Sequence, residues 1–341
     1  MRRFPNEAEA VPWWTRRRFL RGAVGGLLAG SFFPMLADCA RPNRHAEVFI
    51  AGVGSYAADI ASVVLAGFRE LHVRMEEIRG KRILLKPNLI EPNRGAEHVF
   101  THPAVVRGVA EAFFRMGAAS IVVGEGTAHN RDTMLVLEES GIGEALREDH
   151  IPFADLNNDA GYFVKNAGKY THISSFNLPL ALRRADWVVS VGKMKTHHWA
   201  GVTLAMKNLF GVMPGIYYGF PKNVFHWEGI AKSILDITAT VRPHFAIIDG
   251  IVGMEGDGPI MGDPRKAGVL VMGRNLPAVD ATGARIMGID PHKVSYLAAA
   301  AGRLGPIREL EILQRGELIT SVRTDFALVE RIEAQRGIRL A

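Results

Sequence analysis

The chain has 341 residues, 48% of them hydrophobic, enough for a substantial core arranged as one large domain or two lobes. Its formal net charge is +6, but residues 1–44 hold eight arginines against three acids and so carry five of those charges, which leaves no basic face for a nucleic-acid partner in the remainder. Cys39 is the only cysteine, which excludes an internal disulfide and any iron–sulfur cluster or structural zinc site built from several thiolates of this chain.

Taken in chain order, the first element is a targeting segment. Thr15 precedes Arg16, Arg17 and Arg18, then Phe19, Leu20 and Arg21, and a glycine-broken apolar run follows over residues 22–37. That run is too short and too interrupted for a comfortable membrane span. Residues 1–44 therefore read as a twin-arginine export signal, with the Tat translocon as a transient partner and a periplasmic or other extracytoplasmic destination. Leu36, Ala37, Asp38 and Cys39 resemble a lipoprotein box with Asp in the place of a small residue, so a lipid tether at Cys39 and ordinary cleavage near Cys39 or Ala40 are competing readings.

From Glu47 onward, apolar β-branched runs alternate with amphipathic stretches. Strands are predicted at residues 48–53, 82–85, 120–123, 151–156, 187–191, 245–249 and 268–272. Helices are predicted at residues 57–73, 101–116, 132–139, 142–148, 201–209, 226–240 and 277–287, the second opened by Thr101 as N-cap with Pro103 in its first turn. Regular alternation of this kind predicts an α/β fold, a mainly parallel sheet with helices on both faces. Polar residues and glycines interrupt the pattern at residues 157–176, so residues 45–341 divide into candidate lobes at 45–160 and 177–341.

Polar clusters fall just after predicted strands, where open α/β sheets place their ligands. Lys86 and Asn88 flank Pro87 after one strand, and the Gly124 to Arg131 stretch follows another, offering His129 as acid or base and Arg131 as anion clamp. Lys193, Lys195, His197, His198, Lys207 and Asn208 crowd into the most informative block, which suits an anionic ligand. One of the two adjacent histidines is expected in the site, since neighbours in sequence usually diverge. The glycine- and aromatic-rich residues 215–225 are long enough for a lid before His226. Asp249, Glu255 and Asp257 lie among glycines, where carboxylates bind a divalent cation or orient lysines and histidines. Asp280, near a predicted helix start, either caps that helix or reaches the site.

The segments KPNL at 86–89, THP at 101–103, VGEG at 123–126, KMKTHHWAGVTLAMKNLFG at 193–211 and DGIVGMEGDGP at 249–259 resemble the family known as domain of unknown function 362 over nearly all of residues 45–341. Many members of that family carry iron–sulfur modules, whose cysteines this chain lacks. A fainter similarity is to nickel-pincer lactate racemases, through His129, Arg131, His197, Ala200, Gly201, Lys207, Pro214, Gly215 and His226 in that order. That second resemblance implies His129 and His197 as a paired acid and base, Lys207 as the lysine tethering a cofactor and His226 as a nickel ligand. The expectation is an exported enzyme acting on a small anionic molecule by isomerase-like or redox chemistry, its cofactor unknown but open to a metal ion or pincer-like group. The alternatives are a protein that captures a ligand or cofactor without catalysis, and a redox partner of a separate iron–sulfur subunit.

Overall fold

A computed structural model describes residues 45–91, 94–128 and 132–341, so the expected export signal and Cys39 lie outside the described residues. Twelve strands are present among those residues: β1 (Ala46–Gly52), β2 (Arg82–Pro87), β3 (Ser120–Glu125), β4 (Phe153–Asp155), β5 (Gly161–Lys165), β6 (Ser175–Pro179), β7 (Trp187–His197), β8 (Gly201–Thr203), β9 (Phe245–Glu255), β10 (Asp263–Arg265), β11 (Val269–Gly273) and β12 (Ile312–Gly316). Eight of them form the path β12-β1-β11-β9-β7-β2-β3-β4, with β8 paired to β7 and β10 to β9. The run β9-β7-β2-β3-β4 is parallel throughout, while β11 is antiparallel to both β1 and β9. The fold is α/β with a mostly parallel sheet. Residues 43–341 form one compact unit, and strands from either side of residues 157–176 share its main sheet. Those residues are not a bare linker, because β5 and β6 make an antiparallel hairpin there.

Alternate side chains of each central strand go to opposite faces, and the sequence supplies apolar groups on both. Val48, Leu84, Val188, Ile248 and Val271 join one core, with the helices Ile230–Val241 and Leu276–Ile286. Phe49, Leu85, Val189, Ile247 and Met272 join the other, with the helices Ile60–Glu70 and Pro103–Arg115.

Local chemistry sets the helix starts. Asp59 accepts a hydrogen bond from Ser62 N at 3.0 Å, and Asn275 accepts one from Ala278 N at 3.0 Å. The expected Thr101 cap is corrected by one residue. His102 is the N-cap, its Nδ1 accepting from Ala104 N at 3.1 Å. Thr101 instead accepts from Asn88 N and donates to Val191 O, which ties the Asn88 turn to the central strand.

Four other boundaries differ from the sequence reading. Strands β7 and β9 run on through the charged residues that were expected to follow them, because those charges find partners inside the sheet. The predicted helix at 201–209 is β8 followed by the short helix Ala205–Asn208, with Gly201 at φ +78° reversing the chain onto β7. Gly229, at φ +96°, splits the predicted helix at 226–240 into Asn223–Trp227 and Ile230–Val241.

Candidate functional site

A cavity of about 120 Å3 opens beyond the C-terminal ends of β2, β3 and β7. Lys86, Asn88, His197, His198, Lys207, Asn208 and His226 all line it, so both adjacent histidines are present. His129 and Arg131 lie outside the described residues.

Its floor is a hydrogen-bonded network. Lys86 Nζ donates to Glu125 Oε2 at 2.7 Å, to Pro87 O at 2.7 Å and to Asn208 Oδ1 at 3.0 Å. Glu125 also accepts from the backbone of Leu89 and Gly126, and Asn208 donates to Lys86 O and Ser190 Oγ. Burial pushes Lys86 down and Glu125 up, each opposed by the other's charge. With three acceptors, the Lys86 ammonium holds the floor together and has no donor left for a ligand.

Lys193 and Lys195 are also occupied, and neither lines the cavity. Lys193 Nζ lies 2.8 Å from Asp249 Oδ2, both fully buried, and 2.9 Å from the hydroxyl of the half-buried Tyr56, on which the His102 ring stacks. Lys195 Nζ donates to Val99 O at 2.8 Å and Pro259 O at 3.2 Å, joining two loops beside the cavity. Burial and the neighbouring lysines hold Lys195 well below the usual lysine range.

Lys207 is different. Its Nζ has no hydrogen-bond or carboxylate partner among the described residues and sits 4.0 Å from the centroid of the Phe210 ring. Burial pushes it down to about 7, with the Lys86 charge acting in the same direction. Lys222, which sequence reading missed, also lines the cavity. Its ammonium donates to Asn157 Oδ1, and burial lowers it to about 7.

Hydrogen bonds assign the histidine tautomers. His197 Nδ1 accepts from Trp199 N at 3.0 Å and Ala200 N at 3.3 Å, so its proton belongs on Nε2. Burial, reinforced by Lys207, keeps His197 well below the ordinary range and therefore neutral. His197 is thus an N–H donor, unlike the proton-accepting half of a pair. His226 has the opposite arrangement. Its Nδ1 faces Lys222 O at 3.2 Å, which can only accept, so Nε2 keeps a lone pair. Burial lowers His226 as well, keeping that lone pair free near neutral pH.

Two buried polar atoms of the lining have no partner among the described residues: Asn88 Oδ1 and Thr203 Oγ1. Asn88 Nδ2 donates to Asn208 Oδ1, which fixes the amide and leaves its oxygen to accept. Thr203, Glu125 and Lys222 are lining residues that the sequence singled out only as parts of longer segments or loops. The short helix carrying Lys207 is anchored by Asp280, which accepts from Ala205 N at 2.8 Å and Met206 N at 3.0 Å. Asp280 neither caps its own helix nor lines the cavity; it caps a neighbour.

The four expected metal ligands are not brought together. Asp249 is bound to Lys193 and Tyr56, Glu255 accepts from Ala327 N and pairs with Arg265, and Asp257 pairs with Arg331, while His226 lines the cavity. Among the described residues no group of three or more His, Cys, Asp or Glu is placed to hold a metal ion. Among the described residues the expected ligands therefore do not form a metal centre.

A family model described as Domain of unknown function (DUF362) matches residues 83–285. The chain belongs to this family. A curated relative of this chain is a "Thylakoid-associated protein" of Synechocystis sp., 30% identical over 232 residues that cover 66% of this chain and 68% of that protein. Among solved structures, the lactate racemase apoprotein of Thermoanaerobacterium thermosaccharolyticum is 12% identical with a TM-score of 0.37, covering 72% of this chain and 58% of that one. A Thermotoga maritima protein is 11% identical with a TM-score of 0.36, covering 64% and 56%. The chain thus spans less than two thirds of either solved structure. Within the DUF362 match lie all of β2 but its first residue, β3, β7, β9 and every cavity residue discussed above.

Proposed function

We propose that this DUF362 protein is an exported enzyme that binds a small anionic molecule in the cavity and moves a proton at a carbon bearing oxygen, in isomerase-like chemistry. The observation that carries this reading is Lys207, a cavity cation without an acid partner among the described residues and lowered to about 7. Perturbed, unpaired titratable groups in a cleft mark functional sites.

In this reading Lys207 holds the ligand's anionic group, and Asn88 Oδ1 accepts from a ligand hydroxyl. His226 Nε2 takes a proton from the carbon next to the ligand's carboxyl or carbonyl group, the C–H electron pair becomes a C=C bond to that group's carbon, and the C=O π pair moves onto its oxygen. His197 Nε2–H donates to that oxygen, stabilising the charge that develops there. No step is routed through a metal or bound cofactor. The location is proposed to be extracytoplasmic, with delivery by the twin-arginine signal. The Synechocystis relative is thylakoid-associated by name, which supports a membrane-associated setting.

The test is solvent deuterium exchange, followed by proton NMR, into a panel of 2-hydroxy and 2-oxo acids incubated with the protein. The expected result is exchange into at least one acid, slowed by about 10²-fold or more in His226→Gln, with binding about tenfold weaker in Lys207→Met. An acid that binds through Lys207 without exchanging would replace the enzyme with a ligand-capture protein. Binding indifferent to Lys207→Met would remove the site itself.

A further inference from the structure

A second concave site lies at the other end of the sheet, away from the cavity just described. Gly273, the last residue of β11, pairs with Ala246 at the start of β9, and the hollow is built from segments just outside those ends. Arg242, Arg274 and Arg303 line it, and no aspartate or glutamate does.

The three guanidiniums are only partly engaged. Arg274 reaches Glu77 at 2.8 Å, Arg242 Nε donates to Ala239 O at 3.0 Å, and Arg303 lies 4.4 Å from the centroid of the Tyr170 ring while donating to Gly168 O at 3.4 Å. Arg242 thereby covers a carbonyl at the C-terminal end of Ile230–Val241, the end that would otherwise repel an anion.

Two further observations point to a ligand. Thr238 is 7% exposed and lines the hollow, and its Oγ1 has no partner among the described residues. The Tyr170 hydroxyl, from the same lining, is likewise buried and unpartnered. The eleven-residue helix Leu276–Ile286 also begins here, its positive dipole end facing the arginines.

The number of donors selects the anion. A carboxylate presents two oxygens in one plane and is satisfied by a single guanidinium fork. Three guanidiniums and two hydroxyls call instead for a tetrahedral group with several acceptor oxygens and more than one negative charge. We infer that this hollow is a binding site for a phosphate monoester, separate from the Lys207 cavity. Both a soluble phosphate ester and the headgroup of phosphatidic acid present that chemistry.

The experiment uses the purified full chain. Isothermal titration with inorganic phosphate and with glycerol 3-phosphate covers the soluble source. Co-sedimentation with phosphatidylcholine vesicles, with and without phosphatidic acid, covers the lipid source. One of the two is expected to bind saturably, at least tenfold more weakly in Arg303→Gln and in Arg242→Gln, and unchanged in Lys207→Met. Thermal melting of each variant separates loss of binding from loss of fold, and Arg242, whose side chain is exposed, serves as the second variant should Arg303→Gln unfold. Binding to vesicles alone assigns the headgroup, and binding to soluble phosphate assigns the ester. The inference is overturned if neither source binds, or if binding survives both arginine changes and disappears in Lys207→Met.

Discussion

Lys207 and Lys222 carry charge at a cost that depends on pH. A lysine in the unfolded chain titrates near 10.4, whereas both of these are held at about 7 by burial. Between those values the unfolded chain binds more protons than the folded one, so stability rises with pH from about 7 to about 10 and is lost as pH falls through 7. Asp280 acts in a lower window with the opposite sign. Burial raises it to about 7, so its contribution is present below about pH 4 and is lost as pH rises through 7. Urea midpoints measured from pH 7 to pH 9 are therefore expected to climb, with a shallower climb in Lys222→Met. That variant leaves Asn157 Oδ1 still accepting from Gly215 N at 2.9 Å, which limits the collateral damage. A slope identical in the wild type, Lys207→Met and Lys222→Met would show that these two lysines are not its source.

At the scale of elements, the cavity floor depends on how closely the turn after the helix Ala205–Asn208 approaches β3. Gly126 N donates to Gly211 O at 2.9 Å, and a Cβ at Gly211 would fall on Glu125 Oε1 and Lys86 Cε. Gly211→Ala must therefore push apart a buried ion pair, and breaking such a pair costs about 3–5 kcal/mol. The expected outcome is a fall in urea stability of that order, whereas a fully stable variant would show that the turn relaxes freely. The same closeness explains what was legible in the sequence. The strand centres were readable, because apolar β-branched runs such as Val188, Val189 and Val191 have no other fate. The strand ends were not. Lys193 reads as a loop cation until Asp249, 56 residues away, is known to lie 2.8 Å from it. Lys86 and Glu125, 39 residues apart, pose the same problem. The lysine and histidine block marked the right neighbourhood, but long-range pairing decided which lysine remained available, and only Lys207 did so among the described residues of that block.

For the whole molecule, the prediction concerns the two strands that complete the sheet beside β1. A chain ending at Gly268 lacks β11 and β12, leaving β1 without either neighbour and both cores open along one side. It is expected to be cut rapidly in limited proteolysis within residues 46–70, and resistance there equal to that of the full chain would refute the dependence. The sequence announced the α/β class through its alternation, yet nothing local in Ala46–Gly52 says that it pairs with residues near the other end.

That pairing has a consequence in time. Val48 waits for Gly273 and Ala46 for Ile312, so β1, the first strand among the described residues to leave a ribosome, is among the last to find its place. Until then Val48, Phe49 and Ile50 have neither edge covered, and closing so long a loop is slow. Both β11 and β12 must thus be made before β1 is locked in place. A ribosome that stops before Ile312 leaves β1 unprotected, which marks the truncated chain for proteases, while a chain that carries β11 and β12 conceals it.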